Sequence, residues 1–286
     1  MNQDIIRLYD EYTHAPLPRR VFLQRLSALA GGSAAAAALL PLLENNYAHA
    51  AMLPEDDSRI EVERISYDAA GQTINGYLVK PRGGTKLAAV VVIHENRGLN
   101  PHIQDVARRM AAEGFLTLAP DMLSPVGGTP TDEDKAREMI GKLDREKTIE
   151  GLIGAVPYLA GRPEASGKVG CVGFCWGGAM ANMMAVRSPD LAAAVAYYGR
   201  QPAAEDAARI KAKLLLHYAG LDEGVNAGMP AYEDALKKAA VDYRQFVYDG
   251  VNHAFNNDTN AARYNAEAAK LAWDRTVAFL KETLAA

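Results

Sequence analysis

Cysteine is scarce in this sequence: Cys171 and Cys175 are the only two among 286 residues. On an extended strand, residues four positions apart lie about 13 Å from each other, beyond the reach of a disulfide. The sequence therefore excludes a disulfide-stabilised scaffold, and it contains no C-x-x-C redox motif. The C-x3-C spacing is also a poor zinc site, because Cys171 lies among apolar residues. We interpret Cys171 as a core residue.

A strong net charge and a basic stripe interleaved with aromatic residues are also lacking. The formal net charge is −4, aromatic residues make up 7% of the chain, and charged residues make up 23%. These features exclude nucleic acid as an expected partner. Internal repeats and low-complexity linkers are absent too. The hydrophobic content of 49% is ordinary for one soluble α/β domain with a sizeable core.

The only long apolar stretch is near the N-terminus, at Leu26–Leu43. It follows Pro18-Arg19-Arg20-Val21-Phe22-Leu23 and precedes Ala48-His49-Ala50, an A-x-A cleavage pattern. The arrangement resembles a twin-arginine export signal over residues 1–50, followed by a domain over residues 51–286. A membrane anchor is the alternative, although 18 weakly hydrophobic residues are at the lower limit for a span. We expect cleavage, export to the periplasm or beyond, and no stable membrane insertion afterwards.

The domain begins with alternating patterns and continues with buried ones. Ile60–Tyr67 and Thr73–Lys80 predict an antiparallel hairpin at a sheet edge, whereas the continuous apolar run Ala88–Ile93 predicts a strand buried on both faces. Further strands are predicted at Phe115–Ala119, Val169–Gly173, Ala192–Tyr198, Lys213–Ala219 and Tyr243–Tyr248. Helices are predicted at Ile103–Glu113, Asp132–Leu143, Lys147–Leu159, Ala179–Arg187, Met229–Ala240 and Ala262–Leu284. This alternation predicts an α/β fold with a mostly parallel, doubly wound sheet and helices on both faces.

The segment Gly173-Phe174-Cys175-Trp176-Gly177 has the frame of a nucleophile elbow, G-x-S-x-G, with cysteine replacing serine. Such a turn holds its central residue in strained backbone, so the flanking residues must lack side chains. The N-terminus of the helix that follows favours a thiolate and any oxyanion formed beside it. The alternative interpretation is an ordinary strand–helix turn.

Polar residues follow the predicted parallel strands, and in a doubly wound sheet these positions share one crevice. They are His94 to Gly98, Asp121, Cys175, Tyr198 to Arg200, Gly220 to Asp222, and Asn252-His253. The order Cys175, Asp222, His253 is the chain order of an α/β-hydrolase catalytic triad. Glu223 directly follows Asp222 and is the alternative acid, although the spacing after Gly220 favours Asp222.

These motifs make the chain similar to the dienelactone hydrolase (carboxymethylenebutenolidase) family, from about Ile60 to the C-terminus. The similarity rests on Gly-Phe-Cys-Trp-Gly-Gly, Asn-His-Ala-Phe, His94-Glu95, Ala119-Pro120-Asp121 and Tyr197-Tyr198-Gly199. It implies that Cys175 is the nucleophile, His253 the proton carrier and Asp222 its orienting acid. It also implies that Glu95 is an extra carboxylate, which contacts the resting thiol and moves on substrate binding, so that the thiolate forms only when needed. The alternative for Glu95 is a rim carboxylate paired with Arg97.

The expected reaction is hydrolysis of a small-molecule carboxylic ester or lactone. Cys175 attacks the carbonyl, and the backbone N–H groups of Trp176 and Asn96 bind the oxyanion. A thioester forms and water then releases the acid, with His253 moving the protons. No metal or organic cofactor is required by this chemistry, and we expect a monomer.

One position departs from the family pattern. Well-known members carry an arginine four residues past the histidine, which holds the carboxylate of dienelactone, whereas this chain has Asn257. Arg97 and Arg200, with Tyr198 nearby, are the candidates for substrate binding. An exported esterase acting on other acyl or polysaccharide esters is therefore a second hypothesis. A non-catalytic binding protein or thiol sensor on the same scaffold is a third.

Overall fold

The computed structural model describes residues 1–15, 17–47 and 52–285. The predicted cleavage pattern Ala48-His49-Ala50 and the residue after it, Ala51, lie outside the described residues. The remaining elements can be compared directly with the sequence predictions.

One sheet of eight strands forms the centre of the molecule, in the order β1-β2-β4-β3-β5-β6-β7-β8. Its strands are β1 Ile60–Ala69, β2 Gln72–Pro81, β3 Leu87–Ile93, β4 Leu116–Pro120, β5 Ala165–Phe174, β6 Ala193–Tyr197, β7 Lys213–Ala219 and β8 Tyr243–Tyr248. Strand β2 pairs antiparallel with both β1 and β4, and every other pairing is parallel. The predicted fold class, including the edge hairpin, is confirmed.

Helices cover both faces of this sheet. They are α1 Gln3–His14, α2 Arg19–Ala30, α3 Ser33–Leu43, α4 Pro101–Ala112, α5 Glu133–Gly141, α6 Arg145–Ala160, α7 Trp176–Arg187, α8 Glu223–Asn226, α9 Met229–Lys238 and α10 Ala266–Thr283. Helices α6, α7 and α9 contribute to one hydrophobic core cluster, and α4 and α10 contribute to the other. The two layers therefore sandwich the sheet.

The central strand β3 shows why the sheet needs both layers. Val91 and Ile93 belong to the core cluster on one face, and Val90 and Val92 belong to the cluster on the other. All four are fully buried. Because successive side chains of a strand point to opposite faces, a continuous apolar run is stable only when both faces are covered.

Element boundaries differ from the predictions by a few residues. The hairpin strands extend to a two-residue turn at Ala70 and Gly71, both with positive φ. The last helix begins at Ala266 rather than Ala262, because the Asn265 side chain caps it by accepting from the amide of Ala268. Helix α8 and two 3₁₀ turns, Ser124–Val126 and Ala204–Arg209, were not predicted.

The N-terminal segment, defined here as residues 1–15 and 17–47, was set apart from the domain in the sequence analysis but packs against it in the structure. Its three helices bury a cluster of their own that includes Tyr9, Tyr12 and Phe22. Polar contacts then join the segment to the domain, such as the ion pair of Asp10 with Arg263 at 2.9 Å. The physical reason is that α1 is amphipathic, so its apolar face is buried when the segment packs.

Within the described residues, no single helix is both long and apolar enough to cross a membrane. Arg19–Ala30 and Ser33–Leu43 meet those criteria only as a pair, and that pair is bent by 112°.

Candidate active site

The turn at Cys175 has the geometry of the predicted elbow. Cys175 takes φ 55° and ψ −113°, a conformation that L-residues rarely adopt. A Cβ on Gly173 would overlap the carbonyl of Gly177, and a Cβ on Gly177 would overlap the carbonyls of Ile93 and His94. The steric prediction for the two flanking glycines is therefore confirmed. Helix α7 begins at the next residue, Trp176.

The acid and the imidazole meet above the ends of β7 and β8. The Nδ1–H of His253 donates to Oδ2 of Asp222 at 2.5 Å, and Oδ1 of Asp222 accepts from the amide of Val225 at 3.2 Å. Burial opposes both charges, but Cys175 and then Asp222 raise the pKa of His253, and His253 in turn lowers the pKa of Asp222. Glu223 instead lies on the surface, where it pairs with Arg7 at 3.2 Å. The geometry thus favours Asp222 over Glu223 as the orienting acid.

The thiol of Cys175 has two imidazole neighbours. Nε2 of His14 lies 3.1 Å from Sγ, and Nε2 of His253 is also within 4.8 Å of Sγ. Nε2 of His253 is buried and has no hydrogen-bond partner among the described residues. Burial disfavours a thiolate, but the two imidazoles outweigh it and lower the pKa of Cys175 to about 6. In the full-length chain the two imidazoles thus stabilise the thiolate form of Cys175.

His14 is the residue that the sequence analysis missed. It ends α1, inside the segment interpreted as an export signal, and its Nδ1–H donates to the carbonyl of Asp10 at 2.8 Å. The available signal was the apolar spacing of α1, which buries Ile5, Leu8 and Tyr12 and so indicated a packed helix. Together with Cys175 and His253, His14 forms the only His, Cys, Asp and Glu group in the described part of the chain whose donor atoms are close enough to share a metal ion.

Glu95 is buried beside the thiol but contacts another residue. Its Oε2 accepts from Nδ2 of Asn257 at 2.8 Å, and Glu95, Cys175 and His253 line the same narrow cavity. Arg97 pairs with Glu133 at 2.7 Å rather than with Glu95. The structure thus does not show the alternative of a Glu95–Arg97 rim pair. Asn257, at the position where the family has arginine, binds this carboxylate.

His94 holds the loop after β3 in place. Its Nδ1–H donates to the carbonyl of Glu95 at 2.6 Å, and its Nε2 accepts from the amide of Met122 at 3.3 Å. Its ring stacks on Trp176 with centroids 5.1 Å apart. Complete burial lowers the pKa of His94, so it remains a neutral imidazole. His94 therefore has a structural role: it holds the loop that carries Glu95 and Asn96.

A cavity of about 1060 Å³ opens above Cys175. The domain supplies Asn96, Trp176, Tyr198, Arg200 and His253 to its wall, and the N-terminal segment supplies Tyr12, Thr13, His14, Ala15, Leu17, Pro18 and Arg19. The two sequence-predicted oxyanion donors, Trp176 and Asn96, are therefore on this wall. The Asn96 side chain also donates to the carbonyl of Thr13 at 2.7 Å, which joins the two parts of the wall.

The predicted substrate-binding residues occupy different positions around this cavity. Tyr198, with φ 39°, packs against His253 with ring centroids 4.9 Å apart, and its buried hydroxyl has no hydrogen-bond partner among the described residues. Arg200 is exposed and lines the cavity. Arg97 lies outside the lining of this cavity, where its charge is paired with Glu133. Arg200 is thus the better placed of the two arginines to meet a substrate.

The sheet order, the elbow and the aligned acid and imidazole define an α/β-hydrolase. The sequence model of the dienelactone hydrolase family matches residues 74–284, and the chain belongs to that family. A protein of Saccharolobus solfataricus named as a carboxymethylenebutenolidase is 33% identical over 257 residues, covering 77% of this chain and 98% of that protein. The predicted hydrolase class is therefore confirmed.

Solved structures of similar proteins agree with the assignment to this family. A crystal structure from Klebsiella pneumoniae named as a dienelactone hydrolase has a TM-score of 0.70 and 27% identity, covering 78% of this chain and 99% of that chain. A dienelactone hydrolase-like promiscuous phosphotriesterase from metagenomic libraries has a TM-score of 0.71 and 26% identity, covering 79% and 99%. Each of these two structural alignments leaves about a fifth of this chain unaligned.

Proposed function

We propose that this hydrolase cleaves carboxylic esters or lactones with Cys175 as nucleophile, His253 as proton carrier and Asp222 as the orienting acid. The observation that carries the proposal is the position of Cys175: a strained elbow at the mouth of a large cavity, beside an imidazole whose Nδ1 is bound to a carboxylate. A carboxylate in that position fixes the tautomer and stabilises the charged imidazole. The dienelactone hydrolase family supplies the substrate class.

In this mechanism the Cys175 sulfur attacks the substrate carbonyl, and the amides of Trp176 and Asn96 bind the oxyanion that develops. Collapse breaks the bond to the leaving oxygen, which takes a proton from His253, and leaves a thioester on Cys175. His253 then removes a proton from water, which attacks the thioester and releases the acid. Cys175 returns to its starting state, so one water is consumed per ester cleaved.

Glu95 acts as an additional active-site carboxylate in this proposal. The support is its burial and its place on the narrow cavity that Cys175 and His253 also line. Its hydrogen bond to Asn257 fixes one oxygen and leaves the other for the thiol or for water. In a chain from which the N-terminal segment has been removed, His14 would be absent, and His253 and Glu95 would remain as ionisable residues lining the cavity with the thiol.

Substrate choice is proposed to depend on Arg200. Arg19 and Arg137 also line the cavity, but both are paired with Asp134, whereas Arg200 forms no ion pair among the described residues. A substrate carrying a carboxylate would meet this free guanidinium. An ester or lactone that carries a carboxylate is therefore favoured over a neutral one, with Arg200 binding the anion in place of the family arginine that Asn257 replaces.

The direct test is capture of the thioester. Incubation with a panel of esters and lactones, acid quenching and peptide mass spectrometry are expected to show the acyl mass on the peptide containing Cys175. On the same panel, Arg200→Gln is expected to raise the KM of anionic esters about tenfold and to leave neutral esters within about twofold. Turnover without any acylated Cys175 would contradict the mechanism, and equal KM changes for both ester classes would contradict the role of Arg200.

We also propose that the chain is exported by the twin-arginine route and cleaved near Ala51, on the sequence pattern at Arg19-Arg20. Replacing both arginines by lysine is expected to leave unprocessed protein in the cytoplasm, because the signal depends on the arginine pair. Arg25→Lys, a change on the same helix, is the control and should be exported normally. N-terminal sequencing of the exported form should begin near Ala51; an intact N-terminus in that fraction would contradict cleavage.

A further inference from the structure

Three donor atoms from distant parts of the chain meet above the elbow. Nε2 of His14, Sγ of Cys175 and Nε2 of His253 all lie within 4.8 Å of one another, and Nε2 of His14 is 3.1 Å from Sγ of Cys175. The donors of a tetrahedral zinc ion are about 3.5 Å apart, given bonds of about 2.3 Å to sulfur and about 2.0 Å to nitrogen. The three atoms thus need only small shifts to share one ion.

The other nitrogen of each imidazole is already engaged. Nδ1–H of His14 donates to the carbonyl of Asp10 at 2.8 Å, and Nδ1–H of His253 donates to the carboxylate of Asp222 at 2.5 Å. Nε2 is therefore the nitrogen of each ring that faces the sulfur, and it can ligate a metal ion once any proton on it has left. Histidines that ligate metals nearly always donate their second N–H to a carbonyl or carboxylate in this way.

An independent observation concerns the Nε2 atom of His253. It is buried and has no hydrogen-bond partner among the described residues, although it points into the cluster. A buried polar atom without a partner carries a free-energy cost that a bound ligand would offset. Nε2 of His253 is therefore positioned to ligate an ion that the cluster holds.

We propose that the full-length chain binds one zinc ion through His14, Cys175 and His253, with a fourth position open to the 1060 Å³ cavity that all three residues line. Two imidazoles and a thiolate select a borderline metal such as Zn²⁺ over Mg²⁺ or Ca²⁺, which prefer oxygen ligands. Binding displaces the protons that the thiol and the two imidazoles hold, and it changes no oxidation state. Cys171 takes no part, because it is fully buried within β5.

The proposed zinc site joins a ligand from the N-terminal segment to the proposed nucleophile. A bound ion therefore affects ester hydrolysis. While it is bound, the Cys175 sulfur and the His253 nitrogen are both ligands and neither is available for ester hydrolysis; this consequence rests on the proposed function. Because His14 lies in the segment proposed for removal, cleavage near Ala51 would remove one ligand of three. Zinc inhibition is thus a property of the uncleaved chain.

The test is a titration of full-length, metal-free protein with Co²⁺, which replaces zinc in such sites and reports a thiolate ligand by a near-ultraviolet charge-transfer band. One equivalent of Co²⁺ is expected to bind, and Zn²⁺ should displace it. Cys175→Ala should lose the band, whereas Cys171→Ala should keep it. Absence of the band from the wild-type protein, or its persistence in Cys175→Ala, would overturn the site.

A matched pair of variants tests the role of His14 as a metal ligand. His14→Glu and His14→Gln are nearly equal in size, but only glutamate supplies an anionic zinc ligand. Affinity for Co²⁺ should fall at least about tenfold in His14→Gln and be substantially retained in His14→Glu. Equal affinity in wild type and His14→Gln would overturn the proposal, provided that thermal melting shows both proteins folded.

Hydrolysis is measured separately, in chelator and then with added Zn²⁺. Wild-type activity should fall on addition of Zn²⁺ and return with chelator, and His14→Gln should require at least about tenfold more Zn²⁺ for the same inhibition. Activity that is unaffected while the site is loaded would overturn the inhibitory consequence. A chain with no hydrolysis in chelator would contradict the proposed function and leave the binding data standing.

Discussion

Cys171 lies inside β5 and Cys175 lies just beyond its end, and the pKa values of the two thiols are shifted in opposite directions. Cys171 lies in the middle of β5, between Val91 of β3 and Ala194 of β6, and burial raises its pKa to about 12. Cys175 lies just beyond the strand end, where burial is outweighed by two imidazoles and the pKa is lowered to about 6. Both side chains are buried.

The difference teaches that burial alone does not decide reactivity. Inside the sheet, Cys171 lies between paired strands and among the apolar side chains of one core cluster, so no charge is available to stabilise a thiolate. At the carboxyl edge the strands stop and loops begin, so charged side chains from β7, β8 and α1 can converge on one atom. Four residues of chain separate these environments.

The largest expected effect is on catalysis. Cys175→Ala should lower kcat/KM for a reactive ester by at least about 10³-fold, because it removes the proposed nucleophile. Cys175→Ala combined with His253→Ala should be little worse, because the two residues are proposed to act as one unit. Cys171→Ala should stay within about threefold of wild type. Steady-state kinetics on both variants provides the measurement. An active Cys175→Ala protein would show that the two thiols do not differ in their importance for catalysis.

Alkylation tests the pKa difference directly. With iodoacetamide, in the presence of chelator, labelling of Cys175 in the full-length chain should rise with pH around a midpoint of about 6. Cys171 should stay unlabelled at neutral pH until denaturant is added, because its thiol is buried and protonated. Peptide mass spectrometry distinguishes the two sites. A midpoint near the ordinary thiol value of about 8.5 would instead support Glu95 as a guard that keeps the thiol protonated.

A smaller effect is expected at the carboxylate beside Cys175. Glu95→Gln should lower kcat/KM at least tenfold, about 1.4 kcal/mol of transition-state stabilisation, because it removes a charge while keeping the size. Alkylation of the resting thiol should stay the same or rise. Glu223→Gln, at an exposed glutamate next to Asp222, is the matched control and should retain full activity. If both variants are fully active, Glu95 has no part in turnover.

The smallest effect concerns the core. Cys171→Ala should lower the free energy of unfolding by about 1 kcal/mol, because it leaves a small void between two packed layers. Cys175→Ala should cost less from packing, since its thiol borders an existing cavity. Urea unfolding of both variants gives the comparison. A larger packing loss at Cys175 than at Cys171 would show that the elbow thiol also supports the core.

Much of this arrangement was predictable because it depends on local sequence patterns. The hairpin, the run at β3 and the glycines at the elbow each follow from spacing and sterics, and the structure confirms them. The order of Cys175, Asp222 and His253 placed the candidate site at one sheet edge. The close contact of Asp222 with His253 then distinguished it from Glu223.

What could not be predicted depends on contacts between distant parts of the chain. Asn257 is 162 residues from Glu95, and His14 is 161 residues from Cys175, so no local pattern relates them. The pairing of Arg97 with Glu133 is of the same kind, because both side chains are ordinary rim candidates in the sequence. The packing of α1 was hidden by a leader-like sequence immediately after it.

The glycines at the elbow have a consequence for how this enzyme could change during evolution. The backbone demand of the turn is met by Gly173 and Gly177, whose added Cβ atoms would overlap carbonyl groups, while residue 175 itself is required only to tolerate φ 55°. Serine and cysteine have equal backbone strain there, so the reacting atom can be exchanged without rebuilding its scaffold. The backbone of the turn thus constrains the two glycines more strictly than it constrains the proposed nucleophile at position 175.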